Sequence, residues 1–502
     1  MSIRVGESAS AQPFAKAALP LLEDASLRKN VRHATNTIQS KRDRVSAELP
    51  DWQALRTQAA AIKQATLAQL DEYLIEFEAK CTAAGGHVHW ARDADEANRI
   101  VLAIVEEQLS KQTDRAHPRE VLKIKTMTAD ETGLNHALES AGITPYETDL
   151  AELIVQLGKD RPSHIVVPAL HKNRAQVREI FREQMHLPDL EDSPEALTAA
   201  ARTYLRKRFL SLPIAIGGAN FLVAETGGVA LVESEGNGRM CLTLPRTLIL
   251  MAGIEKVIPR FADLAVMLQL LPRSATGERM NPYNSLWTGV HRGDGPENFH
   301  VVLLDNGRTR VLADLESRQT LRCIRCGACQ NTCPVYRQTG GHAYGSTYAG
   351  PIGAILTPQL LHLEHAQSLP YASTLCGACY EVCPVKINIP EVLIHLRGRV
   401  VRERQSDWKP EALGLRAVAK IFLSRRRLEA AHRLAQMAQP VLSRTPLADR
   451  DYFHQLPGML SAWTRSRDLR TIPQQSFRQW WQARAKIKQQ TDNRAASQAV
   501  KP

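Results

Sequence analysis

The chain has 502 residues, 44% hydrophobic and 23% charged, with a formal charge of +12. That length suits two to four domains of roughly 150 residues each, and a core that needs no metal to hold it together. No apolar run reaches the ~18 residues that cross a bilayer, and aromatics at 5% without a recognition motif exclude nucleic acid as a partner.

The charge is unevenly placed. Residues 401–502 carry 20 Lys and Arg against 8 Asp and Glu, while the first 400 hold 44 of each sign. This basic region reads as a solvated helical surface, or as a docking face for an acidic partner or anionic lipid heads. The N-terminus has no apolar h-region, so no signal peptide is expected. The expected location is cytoplasmic, with the basic region open to peripheral contact at the inner face of the membrane.

Residues 1–75 read as a helical region. Leu67, Leu70, Leu74 and Ile75 lie at helical spacing within Ala54–Glu76. From about Gly85 helix and strand alternate. His87–Trp90 reads as a strand, and Asp95 opens a helix through Ile104. Asp149 and Glu152 resemble a capping pair for a helix carrying Leu150, Leu153, Ile154 and Leu157, ended by Gly158. Ser163–Ala169 reads as a buried strand and Asn173–Met185 as a helix. Phe221–Ala224 and Val229–Val232 read as strands joined by a turn at Glu225-Thr-Gly-Gly228. A second strand pair is expected at Cys241–Leu244 and Leu248–Met251, then a polar excursion over Pro272–Asn298. A hairpin around Asp305-Asn-Gly307 is expected to close the region. This order predicts an α/β domain with a mostly parallel sheet. The last hundred residues read as basic helices with a disordered tail after Trp481.

Seven of nine cysteines fall between Cys323 and Cys383. The first run is Cys323-Ile-Arg-Cys326-Gly-Ala-Cys329-Gln-Asn-Thr-Cys333-Pro334; the second is Cys376-Gly-Ala-Cys379-Tyr-Glu-Val-Cys383-Pro384. Two-residue gaps let one tight turn present three thiolates to one cluster, with Gly327 and Gly377 relieving crowding. In two-cluster arrangements the fourth Cys of a run serves the other cluster. Cluster 1 therefore takes Cys323, Cys326, Cys329 and Cys383; cluster 2 takes Cys333, Cys376 and Cys379. Zinc does not account for the three-Cys run. Two [4Fe–4S] clusters are expected, yet two cubes need eight ligands, and the residue where an eighth Cys would fall is Ser373. Cluster 2 is thus [3Fe–4S], or has Ser373, a His or a distant Cys as a fourth ligand, or keeps an open iron. Cys81 and Cys241 read as core residues. The Gly-rich stretch Gly340–Gly353 reads first as a loop that simply wraps the clusters; the alternative is that His342, Tyr344 and Tyr348 hydrogen-bond cluster sulfur or a partner cofactor and tune its potential.

These motifs, together with Tyr344–Pro358, Val385–Pro390, Glu147-Thr-Asp-Leu150, Ser163–Ala169 and Glu225-Thr-Gly-Gly228, resemble the lactate utilisation protein B family. The resemblance implies a bacterial iron–sulfur subunit working with two other subunits to oxidise L-lactate to pyruvate. It implies a lactate-utilisation (LUD) domain similar to the sugar-phosphate isomerase and CoA-transferase (NagB/RpiA-like) α/β architecture. It also implies that three cysteines for cluster 2 are a family pattern. The expected division is a helical region at 1–75, the LUD domain at 76–312, the dicluster ferredoxin-type domain at 313–400 and a basic helical extension at 401–502. A competing reading has the α/β domain itself acting on an anionic hydroxy acid or acyl substrate, with Glu225 or Glu233 as candidate acids and the clusters as acceptor. L-Lactate is thus met directly or through a partner. No G-x-G-x-x-G fingerprint supports a self-contained NAD or flavin enzyme, and no helix-turn-helix supports a gene regulator.

Overall fold

The computed structural model describes residues 12–111, 119–403, 410–442, 451–456 and 458–498. The first residues and the last four, part of the sequence-based expectations above, lie outside these. The chain divides into two compact units, Met1–Val400 and Val401–Pro502.

The first unit opens with four helices: α1 (Phe14–Glu23), α2 (Ala25–Ala47), α3 (Trp52–Ala68) and α4 (Leu70–Ala83). Asp24 caps α2 by accepting the Leu27 N–H at 2.9 Å. The apolar stripe expected across Ala54–Glu76 is broken at Gln69, which leaves the helical region of φ/ψ.

Ten strands follow in this unit: β1 (Gly86–Ala91), β2 (Glu120–Lys123), β3 (Thr144–Glu147), β4 (Ile214–Gly218), β5 (Phe221–Val223), β6 (Gly228–Glu233), β7 (Thr247–Gly253), β8 (Val257–Ile258), β9 (Tyr283–Trp287) and β10 (Asn298–Leu304). Six form a sheet in the order β1-β10-β7-β4-β2-β3, parallel at every pairing. β4 and β7 are buried along their whole length, as expected of parallel strands covered on both faces. Leu248 and Leu250 enter one core and Ile249 and Met251 the other. The first core continues through the N-terminal helices to Cys326, Cys329 and Cys383, so the cysteine loops share the α/β core. The other four strands form a second sheet, β8-β5-β6-β9.

Four expected elements differ. Ser163–Ala169 is a loop, because the His164 imidazole takes the Val166 and Val167 N–H groups, both at 3.0 Å, that a ladder would have used. Asn237–Thr243 is a helix, so Cys241–Leu244 forms no strand. Asp305 accepts the Thr309 N–H at 2.7 Å and starts the helix Arg308–Ala313 where a second hairpin strand was expected. β10 is instead an inner strand between β1 and β7. Within the polar excursion, the α-helix beginning at Phe261 runs to Ala275 and β9 pairs with β6. The helix Leu150–Leu157 ends as expected, but positive φ falls at Lys159 (49°), not at Gly158.

The second unit contains helices Pro410–Phe422, Arg425–Leu442 and Phe477–Gln498 and a two-stranded antiparallel pair, Tyr452–Phe453 with Leu469–Arg470. The tail expected to be disordered after Trp481 is helical as far as Gln498; its Ala, Arg, Gln and Lys residues are good helix formers. Among the described residues no helix is long and apolar enough to cross a membrane.

Candidate iron–sulfur centre

Each cysteine run turns on a left-handed glycine, Gly327 (φ 73°) or Gly377 (φ 85°), and enters a one-turn helix, Ala328–Thr332 or Ala378–Val382. These two helices pack on each other. Gly377 takes a φ of 85°, which a side chain with a Cβ rarely adopts, so glycine suits this turn on backbone grounds.

The fold brings Cys323, Cys326, Cys329 and Cys383 together around one cavity. Cys333, Cys376 and Cys379 form a second neighbourhood, with Cys329 and Cys379 in electrostatic reach of each other between the two. Cys376 is exposed; Cys326, Cys329, Cys333, Cys379 and Cys383 are buried. Burial pushes the Cys326 and Cys379 thiols up to about 12 and the Cys329 thiol well above its ordinary value. So many convergent buried sulfurs are unfavourable as bare thiolates and suit a bound cation. Backbone N–H groups already point at them: Arg325 N to Cys323 Sγ at 3.4 Å, Tyr336 N to Cys333 Sγ at 3.5 Å and Ile387 N to Cys383 Sγ at 3.3 Å. The donor set and these N–H groups fit iron–sulfur clusters.

Arg325, inside the first run, leaves the sulfurs and pairs with Glu255 at 2.9 Å. Glu255 also takes Arg308 Nε at 2.5 Å, and Arg308 forks onto Glu131 at 2.9 and 2.8 Å. Tyr348 donates to Glu131 at 2.5 Å and lies under the Arg325 guanidinium. Burial pushes the Glu255 carboxyl up, but Arg308, Arg325 and Lys256 overcome this and hold it at about 2. Lys63 of α3 donates to the Glu255 carbonyl. The network fastens the first cysteine loop to the α/β region.

The Gly-rich stretch wraps this centre. His342 donates from Nε2 to the Arg161 carbonyl at 2.9 Å. Gly341 sits where a Cβ would lie 2.0 Å from the Ser163 carbonyl, so only glycine fits there. Tyr344 is buried with no partner for its hydroxyl among the described residues; burial raises its pKa, and Cys333, Cys329 and Cys379 are among the charges raising it further. A buried phenol in electrostatic reach of three of these cysteines, and without an acceptor among the described residues, fits a hydrogen bond to a cluster.

Local sequence gave no sign of several positioning residues. Arg56 of α3 donates to the Cys383 carbonyl at 3.0 and 2.8 Å, and Arg42 of α2 to the Val382 carbonyl at 3.1 Å. His164 donates from Nε2 to Asn331 at 3.0 Å, its Nδ1 being committed to two N–H groups. Burial lowers the His164 pKa to about 3, so it is neutral. Gln330 holds Ile165 N at 3.2 Å and the Ala349 carbonyl at 2.9 Å.

The candidate acids are occupied. Glu225 is exposed and caps the helix Phe261–Ala275 through Phe261 N at 2.7 Å. Glu233 accepts N–H groups of Gly236 (2.7 Å) and Arg239 (3.1 Å). Cys81 and Cys241 are buried, with thiols pushed up by burial to about 11 and about 12.

Two cavities flank the loop Ser163–Ala169. One, of about 430 Å³, is acidic, with Asp130, Glu139, Glu147, Glu152 and Asp160 in its wall. The other, of about 510 Å³, opens beyond the carboxyl ends of β2 and β4. The chain leaves those strands in opposite directions across the sheet, which is where parallel α/β sheets bind ligands. Lys125, Lys256 and Arg325 supply its cations, and its carboxylates are Asp149, Glu233 and Glu278. Lys256 donates to the Ala219 carbonyl at 2.5 Å, and Arg325 Nε is buried without a partner among the described residues.

Comparison with known proteins fits this layout. A LUD domain model matches residues 74–304 and a 4Fe-4S dicluster domain model matches residues 319–387. The chain is 43% identical over 470 residues to "uncharacterized electron transport protein YkgF" of Escherichia coli K12, covering 92% of this chain and 94% of that one. It is 39% identical to lactate utilization protein B of Oceanobacillus iheyensis over 98% of this chain and 100% of that one. It is 40% identical to lactate utilization protein B of Macrococcus caseolyticus, with 97% and 99% covered. The chain therefore belongs to the lactate utilization protein B family.

Proposed function

We propose that the chain is the iron–sulfur electron-transfer subunit of a nicotinamide-independent system that oxidises L-lactate to pyruvate with two partner subunits. The observation carrying this is the gathering of seven cysteines into two neighbourhoods in a chain whose relatives are named for lactate utilization. Cys323, Cys326, Cys329 and Cys383 hold one [4Fe–4S] cluster; Cys333, Cys376 and Cys379 hold the other. Lactate loses two electrons and two protons in becoming pyruvate, and bound clusters supply one-electron acceptance and release. The chain's own residues set the path. Buried Cys326, Cys329 and Cys383 keep water from one group, whereas exposed Cys376, beside exposed Tyr371 and Tyr380, opens the other to a partner. The six-stranded parallel sheet supports a sugar-phosphate isomerase and CoA-transferase type of α/β architecture, and the basic residues 401–502 support peripheral contact with the inner face of a membrane. The test is EPR after anaerobic mixing of L-lactate with the three reconstituted proteins. Reduced-cluster signals are expected; clusters that stay oxidised with lactate yet reduce with another hydroxy acid would overturn the substrate and keep electron transfer.

A second reading places an anionic hydroxy acid in this chain, and the cavity at the ends of β2 and β4 favours it. Lys256 and Lys125 suit a carboxylate, and Arg325, in the cavity wall, also belongs to the first cysteine run. Calorimetric titration of the cluster-loaded protein should show L-lactate binding that Lys256→Gln weakens roughly tenfold, the worth of one charge-assisted hydrogen bond. No heat of binding at millimolar lactate leaves substrate binding to a partner.

A further inference from the structure

The two cysteine runs are one structure used twice. An offset of 50 residues maps Cys326, Cys329 and Cys333 onto Cys376, Cys379 and Cys383. The backbone keeps the same offset. Arg325 and Leu375, both non-glycine, take positive φ at 61° and 56°, and Gly327 and Gly377 follow at 73° and 85°. Gln330 N donates to the Gly327 carbonyl at 2.9 Å, as Tyr380 N does to the Gly377 carbonyl at 2.9 Å. Cys333 N donates to the Gln330 carbonyl at 3.2 Å, as Cys383 N does to the Tyr380 carbonyl at 3.2 Å. A 3₁₀ turn precedes each run, Arg318–Arg322 and Leu369–Tyr371. A left-handed φ at a non-glycine residue is costly for a side chain with a Cβ, so its recurrence at Arg325 and Leu375 marks a geometry the site requires.

This repeat extends one residue beyond the cysteines. Cys323 maps onto Ser373. The Cys323 sulfur accepts the N–H of Arg325 at 3.4 Å, and the Ser373 hydroxyl oxygen accepts the N–H of Leu375 at 3.1 Å. The difference in distance is that of a sulfur and an oxygen acceptor in one turn. The Arg397 guanidinium holds the Ser373 carbonyl at 3.2 Å, fixing the residue from behind. The Ser373 O–H has no acceptor among the described residues and the residue is part-exposed, so solvent is the acceptor available to its proton on ligation.

We propose that Ser373 Oγ is the fourth ligand of the cluster held by Cys333, Cys376 and Cys379. The proposal rests on the seven-cysteine reading above and completes it. Ligation exchanges the O–H bond for an Fe–O bond and releases the hydroxyl proton to solvent, with no change in electron count. Tyr344 is another buried hydroxyl without a partner among the described residues, in electrostatic reach of these cysteines, but nothing in the repeat maps onto it, so it is not assigned as an iron ligand.

Iron analysis, EPR and Mössbauer spectroscopy on anaerobically prepared full-length protein test this. Wild type should carry two complete cubes and no [3Fe–4S] signal when oxidised. Ser373→Ala should lose one iron from a single cluster and gain the S = 1/2 [3Fe–4S] signal, while Ser373→Cys should retain all iron without that signal. Tyr344→Phe should match wild type in iron content. A [3Fe–4S] signal in intact wild type, wild-type spectra for Ser373→Ala, or iron loss from Tyr344→Phe in place of Ser373→Ala would each overturn the assignment. None of these touches the cluster reading, which fails only if wild type binds no iron–sulfur cluster at its cysteines.

Discussion

Arg325 and Glu255 stand 2.9 Å apart with both side chains buried, one from the cysteine loop and the other from the turn after β7. This ion pair ties the first cysteine run to the end of the parallel sheet. Its worth depends on what shares it, because Glu255 also serves Arg308.

Glu255→Gln keeps the shape and removes the charge, leaving the guanidiniums of Arg308 and Arg325 with Glu131 as the one remaining carboxylate of the network. Breaking a buried pair from one side costs about 3–5 kcal/mol. The expected result is a matching drop in unfolding free energy of the cluster-loaded protein in urea. A change below about 1 kcal/mol would mean the network is hydrated and the loop is held by packing.

Stability should decline with acid in two stages. His164 has its pKa depressed to about 3 and Glu255 to about 2. A depressed group contributes fully above its unfolded value, and that contribution is lost as pH falls toward the folded one. His164 therefore begins to cost stability below about pH 6.5, and Glu255 below about pH 4.5. At about 1.4 kcal/mol per unit, the His164 loss reaches roughly 3 kcal/mol by about pH 4. Denaturation midpoints measured across this range should fall less steeply in His164→Gln, with His300, depressed by burial to about 4, supplying part of the remaining slope; an unchanged slope between pH 6.5 and 5 would contradict the neutral assignment.

Tyr344→Phe should have opposite effects on the two forms. Without iron, removing a buried orphan hydroxyl should stabilise the chain by about 1 kcal/mol. With clusters, losing a donor to sulfur should move one potential negative by on the order of tens of mV. Denaturation of the apo-protein and a redox titration of the holo-protein measure these. Identical potentials would show that the phenol faces no sulfur.

Arg56→Leu should loosen the second run, since one guanidinium closes on the Cys383 carbonyl from two nitrogens. Loss of charge-assisted bonds to a buried carbonyl costs about 1.5–3 kcal/mol. Faster iron release to a chelator is expected, read from the decay of cluster absorbance; a wild-type rate would show that packing alone holds the run.

The cysteine runs were legible because each spacing is a local turn, and β5, β6, β7 and β10 were legible because buried strands are apolar nearly throughout, whereas β4, which ends in two glycines, was not read as a strand. Asp149 was read correctly as a cap; its carboxylate takes two N–H groups within three residues. The Ser163–Ala169 error has the same origin as the successes. Its apolar run is that of a strand, but one imidazole diverts two N–H groups, and a pattern of hydrophobicity carries no trace of that. Arg42, Arg56 and Lys63 read as ordinary solvated helix residues, because their acceptors lie hundreds of residues away.

Those distances bear on how the protein is made. Arg56 finds its carbonyl 327 residues later and Arg42 finds its own 340 later. A chain emerging from the ribosome therefore exposes its first helices long before their partners exist, although domains generally fold as they appear. Contacts of such sequence separation close late and slowly. The last step of maturation is then a clasp, in which helices synthesised first shut over cysteines synthesised near the end. Iron must reach those cysteines before the clasp closes, and for that interval the nascent protein depends on whatever shields its unfilled sulfurs from oxidation.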